Sequence, residues 1–392
     1  MKLYTLNGLK VILDVRNSYL SYIIIYSKVG SRYEEKSGIT HFLEHNIFKG
    51  SKRFSYFQIN EFFELYGNSI DAWTTKEGVT IYTSILSEKI LQALDILFDI
   101  ILYPTFENYE NEKNVIIQEY KELLDNYEER CYYYLNKAIF KNHPLSREIL
   151  GNIKNIKSFT KEDLIKRKNE VFSKDNVVIL ISGNFDEDKI LKFIEDNIKF
   201  EYNYNLNLKS FKNYKPSIIE KKLQNFYNYT ALGIPIFNYK PFKYILILIS
   251  HMLGSGSSSI LFDTIREKLG LVYDIHTFLD FYNEVAIFGI SYSVEKKYNE
   301  KVILEVRKII ENLKNYIDDF QKAKQKLKTS IMADFEFYPN YLFATLNEYI
   351  TSNRIITKEN ILQDIENLSL NDFLEVIEMI GKFDNYSIAI IK

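Results

Sequence analysis

The chain has 392 residues, 50 Lys and Arg against 52 Asp and Glu, a net charge of −2, 46% hydrophobic residues and one cysteine. The balanced, interleaved charge carries no electrostatic footprint for nucleic acid, and a lone Cys131 excludes an intramolecular disulfide and a thiolate metal cage and fits a reducing compartment. The length is enough to bury more than one core and predicts two or three domains.

Met1–Leu6 runs into Asn7-Gly8, a turn signal, and then into the alternating run Leu9–Val15, with no signal peptide or presequence pattern. Tyr19–Tyr26 (YLSYIIIY) is too short to span a bilayer and rich in β-branched and aromatic residues, so it predicts a buried strand. A soluble, cytoplasmic protein without a membrane partner is expected.

Residues 41–45 read His-Phe-Leu-Glu-His. Side chains three and four apart are neighbours on a helix, so His41 and His45 can reach one Zn2+ while Glu44 stands beside it, where a general base for a water at the metal belongs. The order H-x-x-E-H is the inverzincin signature. A surface helix carrying the pattern by coincidence is the plain alternative.

Asp71–Glu77 (DAWTTKE), taken alone, is a half-buried strand, and Ser87–Leu102 has helical periodicity. Glu110–Arg130 predicts a long helix whose buried face is marked by Val115, Ile116 and Leu123. Glu119 lies on or beside that face, where a carboxylate is costly unless paired or bound to metal. Catalytic zinc sites use three protein ligands, and Glu119 is the candidate third, although alone it reads more readily as a solvated or ion-paired residue. Glu112, two turns earlier, can support a ligand, whereas Glu122, Glu128 and Glu129 fall on a solvated face. Phe200–Pro216 lacks periodicity and reads as a linker. The loop Gly254-Ser255-Gly256-Ser257-Ser258-Ser259 lacks G-K-[ST], so it is no phosphate loop. Arg266, after it, is by composition a surface residue.

The chain repeats itself. Ser158–Gly183 and Leu368–Lys392 share a capping Thr160 or Ser369, an Asp163 or Asp372 three residues on, an amphipathic helix, an Asp-Asn pair and an apolar strand, at a constant offset of 209. More loosely, Ser37–Gly50 pairs with Lys243–Gly256 and Ser87–Leu102 with Lys297–Leu313. The predicted class is α+β: two homologous α/β-sandwich halves, each an antiparallel-rich sheet with packed helices, at 1–199 and 217–392, joined by a linker at 200–216. The second half has Ile247, Ser250 and His251 where the first has His41, Glu44 and His45, so it holds no catalytic zinc. His251, His143 and His276 are read as structural.

With these residues placed, the chain resembles the pitrilysin family of zinc peptidases, which includes mitochondrial processing peptidase and insulysin. The resemblance runs through Gly30-Ser31-Arg32-Tyr33-Glu34 and Gly38–Gly50 around the histidines, and through Glu112–Glu119, which fits the family's E-x-x-V-x-x-x-E. It implies one Zn2+ per chain on His41, His45 and Glu119, with Glu44 as base and Glu112 in support. It also implies that Asp71, Ala72, Trp73 and Glu77 lie on a substrate-pairing edge strand, where the family has Asn in place of Asp71. Arg266 and Tyr273, seven apart, match the second-domain Arg and Tyr that bind the substrate carbonyl and stabilise the transition-state oxygen. The implied protein is a zinc endopeptidase acting on small or unfolded peptides within a homodimeric chamber. A leader- or presequence-processing protease with a partner subunit, and a non-catalytic scaffold subunit, are the alternatives.

Overall fold

The computed structural model describes residues 1–392. They form two units, Met1–Glu122 with Arg147–Leu208, and Leu123–Ser146 with Lys209–Lys392.

The first unit is built on six strands: β1 (Lys2–Leu6), β2 (Leu9–Val15), β3 (Leu20–Ser27), β4 (Asp71–Thr74), β5 (Val79–Leu86) and β6 (Val177–Gly183), in spatial order β1-β2-β6-β3-β5-β4. β2 and β6 run parallel, and the other neighbours are antiparallel. Central β6 reads VVILISG and is buried throughout, as a strand covered on both faces must be. Seven helices belong to this unit. The first four are α1 (Ile39–Ile47), α2 (Tyr56–Tyr66), α3 (Ile90–Leu102) and α4 (Tyr109–Asp125). α3 buries Ile90, Ala93, Leu94, Leu97 and Ile101, the i, i+3, i+4, i+7 stripe of an amphipathic helix.

The single helix predicted over Glu110–Arg130 is broken at Asn126. Its side-chain oxygen accepts from the amides of Glu128 and Glu129, both at 3.2 Å, and so caps a new helix, α5 (Tyr127–Ile139). The first unit resumes with α6 (Ile153–Ser158), α7 (Lys161–Val171) and α8 (Glu187–Asn197).

In the second unit β7 (Ile218–Lys221), β8 (Tyr227–Phe237), β9 (Val272–Phe281), β10 (Val285–Glu295) and β11 (Ser387–Ile391) take the order β7-β11-β8-β10-β9. Set beside β2-β6-β3-β5-β4, the order matches strand for strand, including the parallel pair at one end. The helices here are α5, α9 (Lys243–Gly254), α10 (Asn299–Glu311), α11 (Phe320–Asp334), α12 (Tyr338–Ser352), α13 (Lys358–Glu366) and α14 (Leu370–Ile380). α3 and α10 are each entered by a single 3-10 turn, at Ser87–Lys89 and Lys296–Tyr298. Thr160 caps α7 and Ser369 caps α14 by accepting from the amides of Asp163 and Asp372. The duplicated α+β architecture is therefore present in the strand order and in the caps.

α5 packs Cys131, Leu135 and Ile139 against Ala231, Ala389 and Ile391 of the second sheet. Gly233 permits that approach, since a Cβ there would lie 3.0 Å from Ile139 and 3.1 Å from Leu135. Residues 200–216 contain neither helix nor strand. No helix is long and apolar enough to cross a membrane.

Asp99 of α3 holds the turn that follows α1. It accepts from the Ser51 hydroxyl at 2.6 Å, the Arg53 amide at 3.1 Å and Arg53 Nε at 2.8 Å. Burial works against its charge, but these donors outweigh burial and hold the carboxyl below its usual range. A depressed carboxylate stabilises the fold above its unfolded pKa of about 4 and loses that contribution as pH falls towards the folded value. Urea midpoints are therefore expected to favour the parent over Asp99→Asn at pH 6, and the gap is expected to narrow at pH 3.

Candidate metal centre

α1 begins where the chain reverses at Gly38, whose φ of 97° is left-handed and whose Cα faces the Leu150 carbonyl so closely that a Cβ would lie 2.7 Å from it. The helix N-terminus is capped by a carboxylate further back in the chain. Glu34 accepts from the Gly38 amide at 2.7 Å, the Thr40 amide at 3.1 Å and the Thr40 hydroxyl at 2.8 Å, placing a negative charge at the positive end of the helix. Burial raises the Glu34 carboxyl, and Arg167 and these donors oppose the rise. Arg167, from α7, donates to Thr40 Oγ1 at 3.0 Å, the Gly30 carbonyl at 2.8 Å and Glu170 at 2.8 Å.

On α1 the rings of His41 and His45 stand edge to face with centroids 4.6 Å apart. His41 Nε2 lies 3.5 Å from Glu119 Oε1 and His45 Nε2 lies 3.3 Å from Glu119 Oε2. The ligating atoms of His41, His45 and Glu119 all fall within 4.8 Å of one another. A tetrahedral ion with bonds of about 2.0–2.1 Å separates its ligands by about 3.3–3.4 Å, so the donor set fits a Zn2+-sized cation. His45 Nδ1 lies 3.2 Å from Glu112 Oε1 and Lys49 Nζ 3.0 Å from Glu112 Oε2. Donation from Nδ1 to Glu112 leaves the Nε2 lone pair facing the cluster. Burial opposes ionisation of Glu119, but the two imidazoles outweigh it and hold the carboxyl at about 2. Burial opposes protonation of His45, but Glu119, Glu112 and Glu44 outweigh it and raise the imidazole, so the cluster offers a cation one carboxylate and two imidazoles.

Glu44 stands next to this triangle without joining it. Its Oε2 accepts from the Thr74 hydroxyl, and burial raises its carboxyl, against the opposing pull of Thr74 and the two imidazoles. Burial is thus shifting it towards the range of a proton acceptor.

The face expected from sequence is found at Ile116 and half-buried Leu123, with Glu112 and Glu119 on the same stripe, but not at Val115, which is 50% exposed. The inward stripe is 112, 116 and 119, spaced i, i+4, i+7.

Asp71–Thr74 form β4, the edge strand of the first sheet, with Ala72 and Trp73 between them. Asp71 and Trp73 are exposed, while Ala72 packs on the core. Glu77 pairs with buried Arg32 and fixes the turn that follows. In the second unit the Arg266 guanidinium lies 5.4 Å from the Tyr273 ring centroid and 4.4 Å from that of Phe262, and Tyr273 is 84% exposed. Phe262–Lys268 are wound as a π-helix, a rare form that is frequent at functional sites. His143 bonds the Lys209 carbonyl at 2.7 Å and His276 bonds Asp274 at 2.9 Å, and neither enters a ligand cluster. Three residues at or behind the site, Thr74, Lys49 and Arg167, had no role in the sequence reading. Thr74 and Lys49 lay inside the strand segment and the histidine block already singled out, and Arg167 inside the repeated segment 158–183.

Comparison with known proteins adds the family. Residues 10–153 match the model described as insulinase (peptidase family M16), and residues 158–327 match the peptidase M16 inactive domain. A protein of Rickettsia felis described as an uncharacterized zinc protease is 31% identical over 394 residues, covering 95% of this chain and 93% of its own. The mitochondrial-processing peptidase subunit beta of Saccharomyces cerevisiae is 34% identical over 194 residues, 48% of this chain and 42% of its own. A protease from Helicobacter pylori has the same fold, with a TM-score of 0.85 at 18% identity over 100% of this chain and 99% of that one. The chain belongs to the insulinase family of peptidases, M16.

Proposed function

We propose that the chain is a zinc-dependent endopeptidase that hydrolyses small or unfolded peptides. The observation that carries this reading is the triangle of His41, His45 and Glu119 with a half-buried, non-ligating Glu44 beside it. His41, His45 and Glu119 would hold one Zn2+ per chain. When bound, zinc supplies Lewis acidity, which polarises a carbonyl and brings the pKa of water towards about 7.

The chain's own residues do the rest. Glu44 takes the proton of the attacking water and returns it to the leaving amine. Glu112 fixes the tautomer and orientation of His45, and Lys49 balances its charge. The outer edge of β4 offers unpaired backbone groups to an extended substrate, so recognition falls largely on the main chain. Asp71, where the family has Asn, accepts but does not donate to that backbone. Arg266 and Tyr273 are assigned to the substrate carbonyl and the transition-state oxygen, contributed across a homodimer by the partner chain. A role in processing leader peptides with a second subunit is favoured by the match to the processing-peptidase subunit.

Equilibrium dialysis against Zn2+ with elemental analysis tests the ligand set. One zinc per chain is expected in the parent and none in His41→Ala. Glu112→Ala is expected to bind zinc about 10–100-fold more weakly, since it removes the group that orients a ligand. Zinc content unchanged in His41→Ala would refute the assignment.

A further inference from the structure

We propose that Thr74 sets the working geometry of the Glu44 carboxylate, an inference that rests on the peptidase reading above. The Thr74 hydroxyl makes the one hydrogen bond to the Glu44 carboxylate, at Oε2. Glu44 has three rotatable side-chain bonds, and α1 fixes only its backbone, so something else must hold the carboxylate in place. Thr74 is suited to this because it is itself fixed. It is β-branched and stiff at χ1. It ends β4 opposite Val79, and the residue after it is tied on both sides, with the Thr75 amide 2.8 Å from the Gly78 carbonyl and the Ser31 amide 3.0 Å from the Thr75 carbonyl.

A hydroxyl that donates to Oε2 occupies one lone pair of that oxygen and holds the carboxylate on the Thr74 side, leaving its remaining lone pairs for other partners. The water oxygen bonds to the scissile carbonyl carbon as its proton moves to the Glu44 carboxylate. That proton then passes to the amide nitrogen as the C–N bond breaks. Thr74 keeps its own proton throughout and acts as a positioning residue. It stands on the strand whose outer edge is assigned to the substrate backbone, so substrate alignment and base alignment share one rigid element.

Thr74→Val removes the donor at nearly constant shape, and Thr74→Ser keeps it. Each is compared with the parent on one fluorescence-quenched peptide, with zinc content, urea midpoint and the crystal structures of the parent and Thr74→Val. The expected result is a kcat about tenfold or more lower in Thr74→Val, KM within about twofold, and recovery to within about threefold in Thr74→Ser. Zinc content is expected to be equal, with the Glu44 carboxylate displaced in the Thr74→Val crystal. An undiminished kcat in Thr74→Val, equal losses in Val and Ser, or a loss confined to KM would overturn the proposal. A parent that cleaves no peptide contradicts the peptidase reading instead. The crystals then decide this proposal alone, with a displaced Glu44 supporting it and an unmoved Glu44 overturning it.

Discussion

Glu44→Gln is expected to lower kcat for peptide hydrolysis by about 10²–10⁴-fold, the range lost with a positioned general base. Zinc content and the urea midpoint are expected to stay at the parent's values. The substitution is nearly isosteric. Glutamine keeps a carbonyl oxygen that can accept from the Thr74 hydroxyl, so the packing around α1 survives, but an amide takes no proton at neutral pH. Because Glu44 is no ligand in the proposed set, zinc retention separates loss of the base from loss of the site. Equal rates in parent and Glu44→Gln would assign the observed cleavage to another group or to a contaminant.

The second large effect concerns the support behind the metal helix. Arg167 is 2% exposed, and its guanidinium ties α7 to Thr40 and to the Gly30 carbonyl while pairing with Glu170 of its own helix. Glu34, 3% exposed, shares that interior and depends on Arg167 to offset the cost of its burial. Arg167→Met removes the cation and leaves the buried Glu34 with only the neutral donors of Gly38 and Thr40. Losing one partner of a buried charge network costs about 3–5 kcal/mol, read as a lower urea midpoint monitored in the first unit. Zinc affinity is expected to fall with it, because the network fixes the first turn of the helix that carries His41. Thr40→Val, which removes one hydroxyl and no charge, is expected to cost only about 1–3 kcal/mol. Equal losses for the two variants would show that the buried charge is not what matters.

Local spacing made the histidines and Glu44 legible, since H-x-x-E-H places them on one helix whatever the rest of the chain does. The duplication was legible too, because capping residues and apolar strands leave local signatures, and Thr160 and Ser369 do cap their helices. Glu119 was harder. Its place beside Ile116 made it the candidate third ligand, but Val115 does not share that face, and alone it read as a solvated or ion-paired residue until the family resemblance gave it a role. Asn126 was a missed cap inside a run that looked continuously helical. Glu112 was named as a support, but two other partners that hold the site were not. Arg167 is 127 residues from Thr40 and Thr74 is 30 from Glu44. Such pairs follow from how helices and strands pack, which no local pattern encodes.

The most direct measurement is digestion of a mixed library of unfolded peptides by the zinc-loaded protein, read by mass spectrometry, with a chelated sample and a zinc-restored sample beside it. New peptide termini in the loaded sample, lost on chelation and recovered with zinc, are the predicted result. A protein that holds one zinc per chain and leaves the library intact would contradict the account and leave a metal-binding subunit without peptidase activity of its own.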